Sequence, residues 1–344
     1  MTRAATDAMR IVALEEHFSV PTLAHRISSE LTSAAGWPAQ LPAHLNQAER
    51  LADLGPARIL DLDEAGITLQ ILSSAGPGAD LLAGEPGVLF AREQNDRLAL
   101  AVRDNPKRFG GFAHLPLRSP AAAADELNRC VEELGLCGAM VNGTIHGRFL
   151  DDPEFEPILA AAETMDVPLY LHPGLPPEPV RRAYFEGLPD EVGFVLSSAG
   201  WGWHAETALH VLRLVLAGTL ERHRSLKLIT GHMGEGLPAM LARCDKVFTP
   251  LTSHYLPRTV GETLLDQLWI TTSGFFDLPS FMAALLAFGA DRILFSVDYP
   301  YAPNLVGRRF LDNLPVSPRD RAKIAHGNAD ALLRLTGKGT KSYG

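Results

Sequence analysis

Eight short apolar runs recur along the chain, each followed by a longer stretch with helical spacing, and this alternation narrows the folds open to it. The runs cover residues 11–18, 67–73, 111–117, 138–143, 168–172, 226–232, 268–273 and 293–298. Several, such as LKLIT and RILFSV, are apolar almost without interruption. Strands of a parallel sheet read this way, because crossover helices cover both faces. The intervening stretches carry helix signals: SPAAAADELNRCVEELG opens Ser-Pro and ends on Gly135, and ETALHVLRLVLAG closes on glycine. Eight such units predict an α/β fold, a (β/α)8 TIM barrel with inserted loops over its carboxyl-end face. An open doubly wound sheet has the same periodicity and is the alternative.

At 344 residues the chain fits one such barrel, expected over residues 9–337 with a short C-terminal tail at 338–344. Two segments interrupt the rhythm, 19–65 after the first strand and 174–202 after the fifth, both punctuated by Pro and Gly. Loops in those positions cover the mouth of a barrel, so both are expected to shape a pocket. A net charge of −9 excludes the basic surface that nucleic-acid binding needs. Three cysteines without a Cys-x-x-Cys pair argue against a disulfide framework. With no apolar run of membrane-spanning length and no signal-peptide pattern, a cytoplasmic protein is expected.

Polar residues stand at strand ends where a purely structural strand would stay apolar. In IVALEEHF, alternation puts Glu15 and His17 on one face and Glu16 on the other. His172 ends PLYLHPG, His232 and Glu235 follow in LITGHMGEG, and Asp298 closes LFSVDYP. Singly, each has a plain explanation: a solvated strand end, a hydrogen-bonded histidine, or an acid beside a helix N-terminus. Together they fall on strands one, five, six and eight at the same end, and closure makes strands eight and one neighbours. Imidazoles and carboxylates converging on one mouth form a divalent-metal site. No Gly-x-Ser-x-Gly elbow, Walker loop or dinucleotide fingerprint competes with it. Trp201 and Trp203 are read either as loop anchors or as an aromatic pocket wall, and His204 and His210 as structural.

With Glu15-x-His17, LHPG, GHMGEGLP and FSVDYP, the chain resembles the amidohydrolase superfamily, closest to its metal-dependent aromatic-acid decarboxylases. KRFGGFAHLPL, ETALHVLRL and GNADALLRL extend the resemblance from about residue 11 to 335. The resemblance implies Glu15, His17, His172 and Asp298 as ligands of one Mn²⁺ or Zn²⁺, with no organic cofactor. It implies His232 beside the reacting oxygen, Glu235 as its partner and Arg243 as a supporting arginine; Arg243, Trp203 and Tyr301 are the expected substrate-binding residues. The implied reaction is redox-neutral decarboxylation of an ortho-hydroxylated aromatic acid, Asp298 giving the ring carbon its proton. A homodimer or homotetramer is the implied assembly. The same parts would also serve a metal-dependent hydrolase or hydratase of a lactone, ester or amide.

Overall fold

The computed structural model describes residues 9–335; the expected tail at 338–344 lies outside them. The strands are β1 (Val12–Phe18), β2 (Leu69–Ser74), β3 (Phe109–Gly111), β4 (Ala113–His114), β5 (Ala139–Asn142), β6 (Leu169–His172), β7 (Leu228–Thr230), β8 (Leu268–Thr271) and β9 (Ile293–Leu294). All pair in parallel, in the orders β1-β2-β3 and β4-β5-β6-β7-β8-β9. Only Phe112 separates β3 from β4, its N–H going back to Leu72 while the Ala113 N–H turns to Gly138, just before β5. The two pieces are therefore one bent stave of a barrel. It begins two residues before the expected 111–117 and ends earlier.

Closure comes from the chain beyond β9. Leu14 bridges Ser296 in parallel, and the Leu14 and His17 N–H groups donate to Phe295 and Tyr299 at 3.1 and 2.7 Å. β1 thus has a partner on each edge, which an open doubly wound sheet would not give it. The fold is a closed (β/α)8 barrel.

Burial alternates along the staves. Val12, Leu14, Ile71, Phe112, Met140, Tyr170, Ile229 and Leu294 pack into one interior cluster, closed by Leu332 and Leu333. Ala13, Leu72, Ala139, Leu171 and Leu228 belong to a second cluster shared with the outer helices. Both faces of each strand are covered, which accounts for the unbroken apolar runs. No helix among the described residues is long and apolar enough to cross a membrane.

The helix Gly202–Leu216 packs on the outside of the barrel and buries His210. Its Nε2 accepts the Leu150 N–H at 2.9 Å, and its ring meets Phe149 edge-on. The structural reading of His210 fits this setting. Burial pulls its pKa from 6.5 to about 4, so the unfolded chain takes up a proton that the folded chain refuses. The stability contributed is complete above pH 6.5 and is lost as pH falls towards 4, on the order of 3 kcal/mol. Chemical denaturation from pH 7.5 to 4.5 is expected to show this slope. His210→Leu should lower stability at pH 7 by about 1–3 kcal/mol, because the Leu150 N–H loses its acceptor, and should flatten the slope.

Candidate metal centre

Strict alternation would put Glu15 and His17 on the Ala13 face of β1, outside the barrel. A register shift between Ala13 and Glu16 prevents this. The irregularity is a bulge at Glu15, whose φ is +59°. Leu14 and Glu15 both turn inward, Glu16 turns outward and His17 returns to the mouth. The pairing of Glu15 with His17 holds, but the bulge is what aims both at the barrel axis.

Glu15 is fully buried. Its Oε2 accepts from the Tyr170 and Ser273 hydroxyls, with Thr271 at 3.5 Å. Its Oε1 is buried without a hydrogen-bond partner and faces Nε2 of His172 and of His232 at 3.4 and 3.5 Å. Burial raises the Glu15 pKa. Gly231 runs directly over the group: a Cβ there would lie 2.5 Å from Oε2.

The other residues close around this carboxylate. His17 sets Nε2 3.2 Å from Asp298 Oδ1, while its Nδ1 meets Ser73 at 3.3 Å. His172 spends Nδ1 on its neighbour's carbonyl, Pro173 O, at 2.8 Å, leaving the Nε2 lone pair for the site. Burial, then the nearby His17 and His232, hold the His172 pKa far below the usual range, so the ring is a neutral ligand. Ligand atoms of Glu15, His17 and His172 lie within 4.8 Å of one another. Asp298 joins them through His17, at φ +70° just past the end of β9.

Two imidazoles, two carboxylates and a buried carboxylate oxygen lacking a donor fit one divalent cation. A cation would satisfy Glu15 Oε1, which is otherwise costly to bury. Glu235, His232 and His204 also lie close enough to share an ion, but hydrogen bonds already join them. Trp203 Nε1 donates to His204 Nε2 at 3.2 Å and His204 Nδ1 to Glu235 Oε2 at 2.6 Å. Glu235 Oε1 accepts from His232 Nδ1 at 2.8 Å. Burial opposes charge on His232, but Glu235, Glu15 and Asp298 outweigh it and lift its pKa to about 10.

His204, read as structural from the sequence, therefore holds Glu235 from its far side. The adjacent aromatic Trp203 was the only hint. Glu16 also does more than face away. It is buried outside the barrel wall, where Oε1 accepts the Val297 N–H at 2.8 Å and Oε2 the Tyr299 N–H at 3.1 Å. These donors flank Asp298, so Glu16 clamps the backbone that presents it. Gln70 links Glu16 to the buried Arg58, which donates in turn to the His17 carbonyl.

Trp203 and Tyr301 line a cavity of about 560 Å³ that opens onto His17, His172, His232 and Asp298. Arg243 is exposed on the helix Leu237–Thr252 and is not among the residues that line the cavity within one copy of the chain.

A family model described as amidohydrolase matches residues 25–335. The chain is 37% identical to γ-resorcylate decarboxylase of Rhodococcus jostii (strain RHA1), over 94% of this chain and 98% of that one. Among solved structures, 2,6-dihydroxybenzoate decarboxylase complexed with 2,6-dihydroxybenzoate superposes with a TM-score of 0.84. It shares 35% identity, over 95% of this chain and 99% of that one. The dihydroxybenzoic acid decarboxylase of Polaromonas sp. JS666, with bound manganese and the inhibitor 2-nitroresorcinol, gives a TM-score of 0.81. Its identity is also 35%, over 95% of this chain and 97% of that one.

The contact of Gly231 with Glu15 yields a test. Backbone φ and ψ at Gly231 (−77°, −169°) suit alanine, so Gly231→Ala acts by displacing the carboxylate rather than by straining the chain. Manganese affinity, measured by chelator competition, should fall roughly 10- to 100-fold with thermal unfolding little changed. Unaltered affinity would separate Glu15 from the metal.

Proposed function

Because the chain belongs to the amidohydrolase family, we propose that it is a manganese-dependent, non-oxidative decarboxylase of hydroxybenzoates. The observation that carries the reading is the buried, partnerless Glu15 Oε1 facing two imidazoles at the mouth of the cavity. Glu15, His17, His172 and Asp298 would hold the ion. When bound, it supplies Lewis acidity and a template for neighbouring carboxylate and phenolic oxygens.

The residues of the chain account for the rest. Asp298 lines the cavity and delivers a proton to the ring carbon that bears the carboxylate. The carbon–carbon bond then breaks, its electron pair returns to the ring, and carbon dioxide leaves. His232, kept in place by Glu235 and His204, faces the charge on the substrate oxygens with its Nε2. Trp203, with its ring centroid 6.4 Å from that of His172, and Tyr301, at 5.8 Å from His17, flank the aromatic ring.

The reading extends to a homodimer or homotetramer in the cytoplasm. Met240, Val247 and Leu251 stand exposed at helical spacing along Leu237–Thr252, an apolar stripe suited to a second copy of the chain.

The direct test incubates the manganese-loaded protein with 2,6-dihydroxybenzoate, other 2-hydroxybenzoates and simple lactones and esters, and weighs the products by mass spectrometry. Loss of carbon dioxide is the expected result, and addition of water to a lactone or ester in the same panel would mark a hydrolase. Asp298→Asn should lower kcat on the order of 10²- to 10⁴-fold while the protein stays folded. Near-normal turnover would remove Asp298 as proton donor.

A further inference from the structure

Asn142 stands at the same mouth as the metal residues, yet its amide oxygen has no partner among the described residues. Along β5 the outer cluster takes Ala139 and Val141 and the interior takes Met140, so alternation turns Asn142 inward. β6 alternates in step, with Leu169 and Leu171 outside, Tyr170 inside and His172 at the mouth. Asn142 is the register partner of His172, so the two stand side by side on strands about 4.8 Å apart. On the other side of β6, His232 follows β7. His172 is thus flanked by an amide and an imidazole, and all three residues line the cavity.

The backbone fixes where this amide sits. The Gly143 N–H donates to the His172 carbonyl at 2.9 Å. Gly143 and Gly174 also cross so closely that a Cβ on Gly143 would lie 2.7 Å from the Gly174 Cα. The two strands therefore end locked together, just past Asn142 and His172. Neighbouring polar groups of the cavity wall are engaged within the chain: Arg118 donates to Leu81 O at 2.9 Å, and Asp80 accepts from Gly78 N at 3.0 Å. Asn142 Oδ1 is buried and unpaired, which is costly, and the locked strand end cannot carry it to a donor elsewhere in the chain. A ligand in the cavity can supply that donor.

We infer that Asn142 is a specificity-determining residue, its amide binding the ortho oxygen that the metal leaves free on a 2,6-dihydroxylated ring. The inference rests on the decarboxylase reading for the position of the ring. A 2,6-dihydroxybenzoate carries a hydroxyl on each side of its carboxylate, just as His172 has a polar neighbour on each side. With the carboxylate and one hydroxyl at the ion, the second hydroxyl lies on the Asn142 side, away from His232. Its O–H donates to Oδ1, and a half-turn of the amide lets Nδ2 donate where the oxygen is ionised. Held at this third point the ring cannot swing, which keeps the carbon bearing the carboxylate before Asp298.

The test compares ligands that differ only in that hydroxyl. For the wild type, Asn142→Ala and Asn142→Val, all manganese-loaded, kcat/KM is measured with 2,6-dihydroxybenzoate and with 2-hydroxybenzoate. Calorimetry gives the affinities of 2-nitroresorcinol and 2-nitrophenol, a matching pair with no carboxylate to lose. The wild type should favour the dihydroxy member of each pair, and both substitutions should cut that preference roughly 10- to 100-fold. Because Oδ1 has no partner to lose, thermal unfolding should come no earlier, and valine also suits a strand end. Preferences that the substitutions leave unchanged, with carbon dioxide still released, overturn the inference while the decarboxylase reading stands. If the wild type releases carbon dioxide from neither acid, the reading fails and the inference with it.

Discussion

A carboxylate buried inside the barrel, at Glu15, is the constraint from which the rest of the site follows. Burial makes its charge expensive, and the surrounding protein answers on three sides. Tyr170, Thr271 and Ser273 attend one oxygen from the barrel floor. His172 and His232 face the other at 3.4 and 3.5 Å, too loosely to satisfy it by hydrogen bonds. Gly231 leaves just enough room above. A divalent cation is the group that balances this arrangement, and His17 and Asp298 stand where they can share it.

Holding these groups requires backbone conformations that side chains ordinarily avoid. Of the eight non-glycine residues with positive φ among the described residues, Glu15, His232, Glu235 and Asp298 belong to the site, and Met233 lies between two of them in the chain. Such conformations cost on the order of 1–3 kcal/mol each and persist only where packing enforces them. The enforcement is visible. Glu16 ties together the amides on either side of Asp298, and Arg58, itself buried, ties Gln70 to the His17 carbonyl. The outer wall of β1 thus fixes what its inner wall presents.

The barrel and the convergence of Glu15, His17, His172, His232 and Asp298 were legible in the sequence, for a physical reason. Strands covered on both faces leave long apolar runs, so a polar residue at a run's end stands out. The bulge at Glu15 was not legible, because a one-residue register shift leaves no mark in composition. His204 and Glu16 escaped for a related reason: each acts through a partner distant in sequence, and only folding shows which. Arg243, assigned by resemblance, stands exposed outside the cavity lining of a single chain, on the helix that carries the apolar stripe.

The most direct measurement is an anomalous difference map from crystals of the protein soaked in manganese. One peak bounded by Glu15, His17, His172 and Asp298 is the predicted result. A peak among His204, His232 and Glu235, or no peak at full manganese saturation, would contradict the assignment of Glu15 as the carboxylate around which the site is built.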